Sequence, residues 1–91
     1  MNAVKGSPST EDLSSFSTLV VSLATSAMLY LGDIPDPEGG KPKVNLDLAR
    51  HTIDTLSMLH EKTRGNLTAE EDALLRRFLH DLRVRFVSLA K

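Results

Sequence analysis

The sequence predicts a small all-α protein of three helices, and three observations carry that expectation. Apolar residues recur at helical spacing in three separate stretches, centred near Leu23, Leu56 and Leu79. Each stretch follows a Ser, Thr or Asn able to cap a helix, and the first two are closed by Gly32 and Gly65. A length of 91 residues holds one domain and hardly two.

Composition narrows the classes further. Hydrophobic residues make up 41% and charged residues 25%, which sets the chain apart from disordered sequences. Aromatics are 4% with no Trp, so the core must be built from Leu, Val, Ile and Ala. The formal net charge of -1 lacks the basic excess usual in nucleic-acid binders. The absence of cysteine excludes disulfides, thiolate chemistry and Cys-based zinc sites, and it fits a cytoplasmic location. A domain this short buries only about 60–65% of its unfolded surface, so good packing or oligomerisation must supply the rest of its stability.

Residues 1–9 are polar and rich in Ser, Gly and Pro and are expected to form a flexible tail, with a single helical domain over 10–91. Ser9 or Thr10 is the expected cap of a first helix over about 11–31, with Glu11 and Asp12 favourable at its positive end. No charge occurs from Leu13 to Gly32, a length near the roughly 20 residues that a bilayer needs. Seven Ser and Thr dilute that stretch, and both its flanks are acidic, so no membrane span is expected. Glu11 and Asp12 also remove the positive start that a signal peptide requires.

On a helix, Phe16, Leu19, Val20, Leu23, Ala24, Ala27, Met28, Tyr30 and Leu31 cover more than half the circumference. Ser15, Thr18, Ser22, Thr25, Ser26 and Leu29 fill the rest, and none of them is charged. A solvated helix face normally carries Lys, Glu or Arg. The plain explanation is a neutral exposed face; the preferred one is a helix buried on all sides, central in the domain, its small residues allowing close approach of a neighbour. Ser15, Thr18, Leu19, Ser22, Thr25, Ser26 and Leu29 are therefore the candidate oligomer interface.

Residues 32–44 form a loop, punctuated by Pro35, Pro37, Pro42 and the Gly39-Gly40 pair. Ile34 and Val44 are its expected hydrophobic pins. Asn45 caps a second helix over about 46–64, whose buried face is Leu48, Ala49, Thr52, Ile53, Leu56, Leu59 and Thr63. Arg50 and Asp54 have the spacing of an exposed ion pair. Thr68 and Glu71 then read as a capping box, opening a third helix over about 69–90. Its stripe is Leu74, Leu75, Phe78, Leu79, Leu82, Phe86 and Leu89, opposite a solvated ladder of Arg77, Asp81 and Arg85. Val84 and Val87 fall off the stripe, on the polar side.

Specific stretches run from Phe16 to Ala27, through Leu-Gly-Asp-Ile-Pro-Asp-Pro at 31–37, to Gly40-Lys-Pro42, Val44-Asn-Leu46 and Thr52 to Leu56. Glu61 to Thr68 and Asp81-Leu-Arg83 complete the set. Together they resemble a bacterial family known as domain of unknown function 1844. Where the family tends to read Glu-Thr-Gly, this chain has Glu38-Gly39-Gly40. The resemblance implies a short, helical, cytoplasmic bacterial protein and transfers no activity or cofactor.

No constellation points to chemistry. His51 and His60 lie on opposite sides of the second helix, and Asp47, His51 and Asp54 share a polar face without further support as a metal site. No nucleophile elbow or phosphate-binding loop frames a serine. The expectation is therefore a non-enzymatic interaction or scaffold module with no cofactor, acting as a homodimer or higher oligomer and with a further, unidentified protein partner. The alternative is nucleic-acid binding through Arg76, Arg77, Arg83 and Arg85 of the third helix. Against it, a recognition helix presents basic or polar residues at its N-terminal end, where this one has Glu70, Glu71 and Asp72.

Overall fold

A computed structural model describes residues 15–35 and 38–91. Three helices account for most of them: α1 (Phe16–Tyr30), α2 (Leu46–Lys62) and α3 (Ala69–Ala90). No strand occurs among the described residues.

Each helix begins where a side chain satisfies the backbone donors that its first turn leaves open. The Ser15 hydroxyl accepts from the Thr18 amide at 3.1 Å, Asn45 Oδ1 from Leu48 at 3.1 Å, and Thr68 Oγ1 from Glu71 at 3.1 Å. Glu71 Oε1 in turn accepts from the Thr68 amide at 2.9 Å, completing the capping box. α1 as described starts at Phe16, where Ser15 holds an extended backbone and acts as the cap, and the expected start near residue 11 lies outside the described residues. The expected Ser9 or Thr10 cap and the tail over 1–9 lie outside the described residues. α2 ends two residues earlier than expected, with Thr63 as its C-cap and Gly65 at φ +86° just beyond.

The helices run up, down and up. His60 meets Asp72 and Ser57 meets Arg83, so positions rise along α2 as they fall along α3. The Tyr30 carbonyl accepts from the Asn45 amide at 2.7 Å, which returns the loop to the end of α1. The core takes Val20, Ala24, Ala27 and Leu31 from α1 and its end, Ala49, Ile53 and Leu56 from α2, and Leu75, Leu79 and Leu82 from α3. Thr52 is buried among them, its hydroxyl satisfied by the Leu48 carbonyl at 2.8 Å.

The other two helices cover only part of α1 and leave open the face that the sequence offered as an interface. All three helices share one core, so each keeps an outward face. Within the expected stripes, Leu19 and Leu48 are exposed. The expected Arg50–Asp54 pair is absent from the ion pairs of the described residues. Nor do Arg77, Asp81 and Arg85 form a ladder: Arg85 turns instead to Asp33 in the loop, at 2.8 Å. Val44 is 55% exposed, although its side chain abuts Gly32.

Candidate functional site

α1 is the only one of the three helices without a single charged residue. Its 3.6-residue repeat sends Val20, Ala24 and Ala27 to the core and leaves Ser22 at the centre of the opposite face. Around Ser22 stand Leu19, Thr25, Ser26 and Leu29, and none of the five is buried. Leu19 is 45% exposed, and Val21, at the margin of this face, is 44% exposed.

The candidate interface residues therefore fall into two groups. Leu19, Ser22, Thr25, Ser26 and Leu29 form a continuous outward surface. Ser15 and Thr18 sit at its N-terminal end and are already engaged with each other, their hydroxyl oxygens 3.0 Å apart. Ser15 serves as the cap as well. At the other end, Leu29 borders a shallow groove with Tyr30, Lys43, Asn45 and Leu48. Leu48, 42% exposed, extends the apolar surface from α1 onto α2. Sequence reasoning assigned Leu48 to the core and left Val21 unassigned, because a single-helix projection does not show where a neighbouring helix stops covering.

Polar chemistry lies elsewhere. His60 Nε2 is 3.1 Å from Asp72 Oδ1, and the other Asp72 oxygen accepts from Arg76 Nε at 2.8 Å. These side chains tie the end of α2 to the start of α3. Asp47, His51 and Asp54 do not converge, and the described residues hold no group of three His, Asp or Glu placed for a metal ion. Among the described residues, no helix is long and apolar enough to cross a membrane.

A family model described as a domain of unknown function (DUF1844) matches residues 14–88. The chain belongs to the DUF1844 family. The match takes in α1, the loop after it, α2 and nearly all of α3. No curated protein and no solved structure is significantly similar to the chain. Membership of DUF1844 thus comes without an assigned reaction, ligand or partner.

Proposed function

We propose that this DUF1844 protein is a non-enzymatic interaction module of the bacterial cytoplasm that works as a homo-oligomer, most simply a dimer joined through α1. One observation carries the reading: α1 is wholly uncharged, yet its face around Ser22 is exposed. A second copy of the same face suits it well. Under two-fold symmetry the surface must complement itself, and a neutral face of small hydroxyls and two aliphatic side chains brings no like charges together. Small residues also let two helix axes approach closely. Covering Leu19 and Val21 on both copies would contribute on the order of several kcal/mol at about 25 cal/mol per Å². That gain adds to a core of ten buried hydrophobic side chains among the described residues.

Light scattering of the wild type and of Ser22→Arg tests the proposal. The wild type is expected at twice the chain mass and the variant, still helical by circular dichroism, at the chain mass. A monomeric wild type, or a variant that stays dimeric, removes α1 from the role.

A further inference from the structure

A second surface differs from the α1 face in its chemistry. Between α2 and α3, Ile53, Phe86 and Val87 line a groove of about 170 Å³, room for one large apolar side chain. Arg50, Asp54 and Arg83 form its rim. Val87 also belongs to an adjoining shallow depression with Val84, Ser88 and Lys91. Val84 is 58% exposed and Val87 56%, the largest exposures among the big hydrophobic side chains of the described residues. Arg50, Arg83 and Lys91 have no ion-pair partner among the described residues; Arg83 donates only to the Ser57 hydroxyl, at 3.0 Å. Asp54 is the single carboxylate side chain at the rim, against Arg50 and Arg83, and Lys91 adds a further cation in the adjoining depression.

We propose that this groove binds an acidic segment of another protein, which inserts one apolar side chain between Ile53, Phe86 and Val87 and sets carboxylates against Arg50, Arg83 and Lys91. Charge complementarity selects the partner. A second copy of α3 is disfavoured, since Arg83 and Lys91 would meet their own like charges across such a pair. A lipid surface gains little here, because the concave floor between the helices holds Ile53 and Phe86 out of its reach and only two valines protrude. An inserted side chain ringed by carboxylates uses both features of the site.

The test is a titration of the ¹⁵N-labelled protein with two synthetic helical peptides of identical leucine pattern, one with glutamate and one with lysine at every other position. The acidic peptide is expected to shift the amides of residues 50–54 and 83–91 and to bind at least tenfold more tightly than the basic one. Arg83→Glu, an exposed change, is expected to abolish that preference, and Val87→Ser to weaken binding about tenfold. Equal binding of the two peptides, shifts centred on other residues, or no binding at millimolar peptide would overturn the proposal. So would tighter binding of the same residues to vesicles of phosphatidylglycerol. The titration reads α2 and α3, so its outcome is independent of whether α1 pairs the chains.

Discussion

Arg85 Nε donates to Asp33 Oδ1 at 2.8 Å, joining two residues 52 positions apart. Asp33 follows the turn that ends α1, and Arg85 lies in the last third of α3, so the contact fastens the start of the loop to the far helix. Both side chains are partly open to solvent, at 31% and 44% exposure, and the pair therefore has the modest strength of surface ion pairs. Arg85→Ala is expected to lower stability by no more than about 1 kcal/mol in urea titration, and by less in high salt. A larger loss that is indifferent to salt would mean that the arginine acts through packing of its stem instead.

Gly32 has a stricter requirement. Its φ of +79° lies in the left-handed region, and a Cβ there would stand 2.9 Å from Val44 Cγ2. Gly39 shares the conformation, at φ +88°, with nothing within 4 Å. Gly32→Ala is thus expected to cost more than Gly39→Ala, which bears only the backbone strain of about 1 kcal/mol. Thermal melts of the two variants compare them directly. Equal losses would show that Val44 yields without cost.

The Thr68–Glu71 capping box sets the start of α3. Thr68→Ala removes the acceptor for the Glu71 amide and is expected to cost on the order of 1 kcal/mol by denaturant titration. Thr68→Ser keeps the acceptor and is expected to stay close to wild type. Loss in the serine variant equal to that in the alanine variant would assign the effect to the threonine methyl group.

Local signals carried most of this fold. Asn45, Thr68, Gly32 and Gly65 act through neighbours within a few residues, so their roles could be read from the sequence and match the structure. The cap at Ser15 could not. Ser9 and Thr10 precede Glu11 and Asp12 and have the better dipole chemistry, whereas Ser15 opens a turn with no acidic residue. Its claim rests on the geometry of its hydroxyl. The Asp33–Arg85 pair was hidden for a different reason: four-residue spacing within α3 competes with a partner that only the folded loop brings near. Likewise the outward surface of α1 follows from helical periodicity alone, while the groove at Ile53, Phe86 and Val87 exists only once α2 and α3 are side by side.

Pairing through the Ser22 face is the central claim, and oxidative cross-linking tests it most directly. The chain has no cysteine, so Ser22→Cys carries a single thiol at the centre of the face, where a two-fold axis would bring two copies together. A disulfide requires Cα atoms within about 7 Å of each other. Under mild oxidant at micromolar concentration, Ser22→Cys is expected to convert rapidly to a species of twice the 10.0 kDa chain mass, while Asp81→Cys on α3 stays single. If Ser22→Cys stays monomeric, or cross-links no faster than Asp81→Cys, the uncharged face of α1 meets water and the dimer through it does not exist.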